Sequence, residues 1–381
     1  MMNIKDIAAL ANVSPATISR YFNGNELICH QTRERIEKVV HLTGYHPKQK
    51  STRVALNHNP TIGVLIPSLL NPVFAEIVAG IQARARHFGY STIIIDTEYH
   101  QAREHQAVVD FIRQRVSGVI LTVASIDNNQ ALSLLKEFNF PLSLVHNQFT
   151  ADDATVYVNN YQAGWDVADH LLKLGHHKLG MVAGQFNRSD RAQLRYEGFK
   201  ARIAQDKQAR LLTLLEIDPM ADAPFTDLEQ SLTHRFGLNN DPLNNDPSNY
   251  DSSNNASLNH APSNTPLFNN PSFNNRPSAW FCSNDLIALK LIRHLRHTGI
   301  RVPEETSVVG FDGMSLGQIT YPALATVKVP HLQMGHLAVD LLLNSKHHTA
   351  LPRQRELPYE LSLTGTVAPV KPHFESIQSI G

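Results

Sequence analysis

Two periodicities divide the chain. Over residues 3–45, apolar positions recur every three to four residues in short runs broken by polar pairs, as in small amphipathic helices. The spacing predicts three. The first opens near Asp6 and turns Ile7, Leu10 and Ala11 inward. The second runs from Ser14-Pro15 to about Phe22, where Asn23-Gly24 stops it. A side-chain oxygen caps free N–H groups and proline suits a first turn, so Ser14-Pro15 reads as a helix start. The third covers roughly Gln31–Thr43, with Ile36, Val39, Val40 and Leu42 on its apolar side, and ends at Gly44-Tyr45-His46-Pro47. Residues 48–60 are polar and basic, a linker or a short conditional helix.

From Thr61 the texture changes. Ile62-Gly63-Val64-Leu65-Ile66 is a continuous apolar run, as in a strand buried on both faces. A helical pattern follows over Phe74–Phe88. Strands are then predicted at 91–95, 118–122, 142–145, 155–158, 178–182, 278–282 and 307–311. They alternate with helices near 101–115, 129–138, 162–174, 189–204, 285–298 and 332–343. This alternation predicts an α/β body of parallel sheets with helices on both faces. Residues 239–275 stand apart, with 13 Asn, five Pro and no Lys or Arg; too few of them can join a core, and the tract reads as a disordered surface insertion. The expected organisation is an all-α head at 1–47, a linker at 48–60, a body at 61–370 carrying the insertion, and a tail at 371–381.

Charge sharpens the division. Lys+Arg and Asp+Glu both number 34, yet residues 1–58 hold eight basic and four acidic side chains, a formal +4 that leaves −4 for the remainder. A basic head on an acidic body suits a head that meets phosphate, though a merely solvated surface is the plainer reading. The 381 residues exceed one ordinary core, and 42% are apolar, enough for globular packing. Two cysteines, Cys29 and Cys282, offer no disulfide framework and no CxxC pair, which suits a reducing compartment. The short apolar runs at the N-terminus are broken by Lys5, Asp6 and Asn12, so no signal peptide is read. No run approaches the roughly 20 apolar residues that cross a bilayer. A cytoplasmic chain without a membrane partner is expected. There is no P-loop, no GxSxG and no HExxH, and the histidines are scattered. Neither an enzyme nor a metal or cofactor is expected.

The strongest motif is Ile4 through Gly24. A helix-turn-helix needs small residues where its helices cross, here Ala8 and Ala11, and a hydrophobic plug in the turn, here Val13. Its second helix needs short polar side chains on the outer face. Pro15, Ala16, Thr17, Ser19 and Arg20 fall there, while Ile18 and Tyr21 turn inward. Arg20 can present a fork to guanine, and Ser14, Thr17 and Ser19 suit phosphate oxygens. A plain three-helix bundle, with Ser14 a cap and Arg20 solvated, is the alternative.

This run resembles the DNA-binding domain of the LacI/GalR family of repressors. The resemblance continues through Thr32-Arg33-Glu34-Arg35-Ile36, Asn71-Pro72-Val73-Phe74, His170-Leu171 with Gly175-His176, Arg195-Tyr196-Glu197-Gly198-Phe199, Ser283-Asn284-Asp285, and Val302-Pro303 to Gly310-Phe311-Asp312. It implies a homodimer on double-stranded, pseudo-palindromic operator DNA. The second helix and Asn23 beyond it would read the major groove, and the linker would fold on DNA and push an apolar wedge into the minor groove. Tyr45 and Pro47 keep the family pattern there, but Lys48, Ser51, Thr52 and Val54 depart from it, and the wedge position falls on Val54, shorter than leucine. Cys29 replaces a capping serine. The tail Lys371–Gly381 has Pro372 and no leucine heptads, so a dimer rather than a tetramer is expected.

For the body, the resemblance implies two doubly wound lobes like those of periplasmic sugar-binding proteins, with an effector in the cleft. Ligands of open α/β sheets sit beyond the carboxyl ends of strands. Ser68, Asn71 and Phe74 after the first strand, His146 and Asn147, Arg195, and Asn284 with Asp285 all meet that rule. Carboxylate, guanidinium and amide groups pair with vicinal hydroxyls, and an aromatic face covers the apolar side of a sugar ring. Each has a structural alternative: Asn71 and Asn284 as caps, Phe74 as core, Arg195 in an ion pair. The family's ligand contacts favour Asp285 and Arg195. The expected function is an effector-controlled DNA-binding regulator, its ligand a sugar, phosphosugar or nucleoside. A cytoplasmic sugar-binding protein without gene control is the alternative. Deleting residues 1–58 separates the two: the regulator loses DNA retention in a gel shift and keeps its ligand, whereas a chain that never binds DNA is unchanged.

Overall fold

The computed structural model of the chain describes residues 2–22, 28–45, 60–148, 153–218, 228–232, 236, 276–344 and 353–370. They form two compact units. One comprises 1–162, 185–194 and 328–360; the other comprises 163–184, 195–327 and 361–381. The expected wedge at Val54, the linker positions Lys48, Ser51 and Thr52, Asn23, the insertion 239–275 and the tail lie outside the described residues.

The first unit opens with α1 (Ile4–Leu10), α2 (Pro15–Phe22) and α3 (His30–Thr43). Ile7, Ala8, Ala11, Ile18, Ile36 and Val39 close a core of their own. Gly44, at φ +59°, ends α3 in the left-handed conformation that costs a glycine little. The lobe that follows is β1 (Thr61–Ile66), α4 (Pro72–His87), β2 (Ser91–Asp96), α5 (Gln101–Gln114), β3 (Gly118–Leu121), α6 (Gln130–Glu137), β4 (Leu142–Val145) and β5 (Thr155–Tyr157). The second unit is built from α7 (Asn160–Lys173), β6 (Lys178–Gly184), α8 (Asp190–Ala204), β7 (Arg210–Ile217), β8 (Ala279–Cys282), α9 (Asp285–His297), β9 (Ser307–Asp312), α10 (Ser315–Gln318) and β10 (Ala325–Lys328). The chain then returns α11 (His331–Asn344) and β11 (Gln354–Glu356) to the first unit and ends its described part beyond β12 (Glu360–Ser362).

The sheets run β11-β5-β4-β3-β1-β2 and β12-β10-β9-β8-β6-β7. In the first, β1 pairs in parallel with both β2 and β3, in register Ile62↔Thr92 and Ile62↔Gly118. That central place explains why its side chains are apolar without alternation. In both sheets the first strand of the lobe is flanked by the second and the third. The carboxyl end of that strand is therefore a topological switch point.

The alternation predicted from sequence is present, with ends shifted by a residue or two. Not foreseen were β7, β10, β11, β12 and α10. The run Arg210-Leu-Leu-Thr-Leu-Leu-Glu-Ile217 has no clean two-residue period, and only its pairing with β6 makes it a strand. The other four are three or four residues long, below any period. Among the described residues, no helix is long and apolar enough to cross a membrane.

Helices α4 and α11 cross at glycines. A Cβ on Gly80 would strike the backbone oxygen of Leu332, and one on Gly335 would strike that of Ile77. Gly80→Ala should cost about 1–3 kcal/mol by overpacking, measured as a lower denaturant midpoint; an unchanged midpoint would show that the crossing relaxes freely.

Candidate functional site

The head presents one edge outward. Asn12 turns the chain at φ +52°, and Val13 N–H donates to Ala8 O at 2.9 Å, which sets α2 across α1. Ser14 caps α2: its Oγ accepts from Thr17 N–H at 3.1 Å. Ile18 is buried beneath, whereas Ser14, Pro15, Ala16 and Arg20 are exposed and Thr17 and Ser19 half-buried. Ser14, Pro15 and Ala16 stand at the start of α2 and Arg20 in its last turn. Cys29 caps α3 without a side-chain bond to its backbone; its thiol donates to Thr32 Oγ1 at 3.1 Å, and that hydroxyl lowers its pKa.

The candidate effector residues fall into two half-sites, one per unit. In the first, Ser68 and Asn71 follow β1. Asn71 caps α4 through Val73 N–H (3.2 Å), and Ser68 Oγ accepts from Leu70 N–H (3.1 Å). Phe74 meets the rings of Tyr99 and His146 edge-on, at 6.4 and 6.3 Å between centroids. His146 is buried at φ +70°, its ring 5.3 Å from that of His331 at the start of α11. Asn147 is a staple. Its Oδ1 accepts from Val123 N–H at 2.9 Å, and its Nδ2 donates to Val123 O at 3.0 Å and to Asp190 Oδ2 at 2.9 Å. Arg191 donates to the same Val123 O at 2.7 Å. Buried Glu104 accepts from Ala124 N–H and Asn129 Nδ2, each at 2.7 Å; burial raises its pKa and these two donors oppose the shift.

In the second unit, Arg195 is buried with its guanidinium 3.4 Å from the centre of the Phe311 ring. One Nη donates to Ser283 O, and the other lies 3.9 Å from Asp312 Oδ1. Such stacking adds a cation–π attraction to the ion pair. Asn284 caps α9 through Ile287 N–H at 2.8 Å. Asp285 is wholly buried. Its Oδ1 accepts from Thr326 Oγ1 and its Oδ2 from Met314 N–H, both at 2.6 Å. Burial pushes its pKa up to about 7 against those donors. Asp285 therefore fixes the turn after β9 and the start of β10, a role the sequence reading did not assign it.

Sequence reasoning missed Tyr99, His331, Phe311, Asp312 and the Asp190–Arg191 pair. Asp312 and Phe311 had a signal, since both lie in the Gly310-Phe311-Asp312 motif. Tyr99 and His331 had none, because only the tertiary fold brings them to Phe74 and His146. Among the described residues, no group of three or more His, Cys, Asp or Glu is placed to hold a metal ion.

A small-residue helix-turn-helix with an exposed polar edge, followed by two doubly wound lobes with polar half-sites at their strand ends, defines a class of ligand-responsive DNA-binding protein. Three family models match in that order: "Bacterial regulatory proteins, lacI family" over residues 3–48, "Periplasmic binding proteins and sugar binding domain of LacI family" over 59–222, and "Periplasmic binding protein-like domain" over 168–367. The chain belongs to the LacI family and is an effector-controlled DNA-binding regulator. It is 27% identical over 348 residues to the HTH-type transcriptional repressor CytR of Escherichia coli K12, spanning 90% of this chain and 89% of the relative. It is also 27% identical to the ribose operon repressor of Haemophilus influenzae, over 90% of this chain and 91% of the relative. These relatives are repressors rather than enzymes. Among solved structures, the lac repressor dimer bound to operator and the anti-inducer ONPF superposes with a TM-score of 0.65 at 23% identity, covering 96% of this chain and 99% of that one.

The Asp285 carboxyl makes a pH prediction. Its folded pKa lies above the ordinary 3.8, so stability present below 3.8 is lost as pH rises toward about 7. The thermal midpoint of the wild type should fall relative to Asp285→Asn across that window and keep a constant offset from it at higher pH. A difference that stays constant with pH would refute the assignment.

Proposed function

We propose that the chain is a cytoplasmic, homodimeric repressor, without catalytic activity, whose operator affinity is set by a sugar or sugar derivative bound at the carboxyl edges of its two sheets. Ser14, Pro15, Ala16, Thr17, Ser19 and Arg20 read operator DNA, with Arg20 the base-reading fork and the hydroxyls on phosphates. The observation that carries the regulatory reading is the exposure of this edge over a buried Ile18. A plain sugar-binding protein has no use for it.

Arg195 is the principal effector contact. Its stacking on Phe311 and pairing with Asp312 fix a guanidinium beside the switch point of β6 and β8, the geometry suited to paired hydroxyls or a phosphate. Phe74, Tyr99 and His146 supply flat faces for the apolar side of a sugar or a base. Ser68, Asn71, Asn147, Asn284 and Asp285 hold the backbone around these groups. The homodimer uses α4 and α9. Beside α9, whose Arg296 donates to Tyr321 O at 3.0 Å, the exposed Ile319 and Tyr321 form an apolar patch of the kind that marks interfaces.

Thermal-shift screening of the full chain against free sugars, phosphosugars and nucleosides tests the reading. A ligand at a hundred times its Kd should stabilise the fold by about 2.7 kcal/mol. Arg195→Ala should weaken it roughly 10- to 100-fold, since a charged hydrogen bond contributes about 1.5–3 kcal/mol. A flat response across the panel would sink the effector class.

A further inference from the structure

The C-terminal ends of α5 and α6 carry four side chains with no part in either half-site: Arg113, Arg115, Glu137 and Phe138. All four meet the head. Arg113 Nε donates to Leu42 O at 2.8 Å. That carbonyl lies in the last turn of α3, where unpaired oxygens concentrate negative charge. Arg115 Nη1 stands 3.3 Å from Asp6 Oδ2, the oxygen that closes the α1 capping box on Asn3 N–H. Lys38 Nζ on α3 reaches both oxygens of Glu137 at 2.6 Å.

Inside this polar ring lies an apolar centre. Phe138 packs against the core of the head as well as that of the lobe, and Met2, Leu10 and Leu42 of the head pack against the lobe core. The contact is complementary in charge and joins two cores through one aromatic ring. It also leaves a groove of about 470 Å3, lined in part by Ala11, Asn12, Arg35 and Asn139, unlike the close packing of an interior. A face packed this way can part without unfolding either side. Ser14, Pro15, Ala16 and Arg20 remain exposed while the contact is made.

We propose that the ends of α5 and α6 form a docking surface for the chain's own head, separable from the linker, which holds the DNA-reading edge outward and lets head and lobe move as one body. It gives the lobe a grip on α1 and α3, on which the reading helix α2 is packed.

Two measurements on the full chain test it. A head held only by a linker tumbles as a small body and gives sharp amide signals in a nitrogen–proton spectrum, whereas a docked head shares the slow tumbling of the whole chain and broadens. The wild type should lack sharp signals from residues 3–22 and 28–45. Glu137→Lys, an exposed change that leaves both cores intact, should bring them out, and Phe138→Asp should do so more completely. Sharp head signals already present in the wild type would overturn the proposal. In the second measurement, a water-soluble carbodiimide condenses a touching amine and carboxylate into an amide and takes up the water as its urea. A Lys38–Glu137 linkage within one chain, absent in Lys38→Arg, is the expected product. The same linkage found only between two chains would overturn the assignment to the chain's own head.

Discussion

Helices α4 and α11 cross at Gly80 and Gly335 so closely that a methyl group on either would strike the opposite backbone. The first unit depends on this crossing. Its sheet begins at residue 61, yet the helix that covers it and the edge strand that extends it come from 328–360. Arg84 Nε on α4 holds Asp340 of α11 at 2.7 Å, and β11 pairs in parallel with β5. The same return of the chain sets His331 beside His146. Closing the lobe and bringing His331 to His146 are thus one event, and a change that loosens the crossing disturbs both.

The half-sites differ in chemistry although their sheets share a strand order. The first unit offers rings: Phe74, Tyr99, His146 and His331. The second offers a stacked guanidinium and a carboxylate, Arg195 and Asp312. The candidate amides of both units are committed to backbone. Asn71 and Asn284 cap helices, and Asn147 staples Val123. Such commitments fix the backbone around the candidate groups beforehand, the arrangement that lowers an ordering cost on binding.

Much of this was legible in the sequence because it rests on local rules. Ser14 caps a helix wherever it stands before Pro15, and Ile62–Ile66 reads as a central strand because burial on both faces leaves no room for alternation. The candidate site reads from the sequence as positions after strands; the contacts that each side chain makes there do not. Asp285, a candidate ligand contact, accepts from Thr326 and Met314, 41 and 29 residues away, and neither bond has a sequence signal. Tyr99 and His331 carry no motif and owe their place to the fold. Strand β7 was missed because its leucines suit a helix equally well until β6 is beside it.

The fully buried residues of the head's core come no later than Val39, whereas the first lobe waits for α11 and β11 from 328–360. On the ribosome these two events are far apart. A nascent chain owns a finished reading edge long before it owns a finished lobe, so a message truncated late in translation would yield a product with an intact head and no complete lobe to govern it. The interleaved return of the chain thus leaves the first lobe incomplete until residues 328–360 have been made, whereas the core of the head needs none of them.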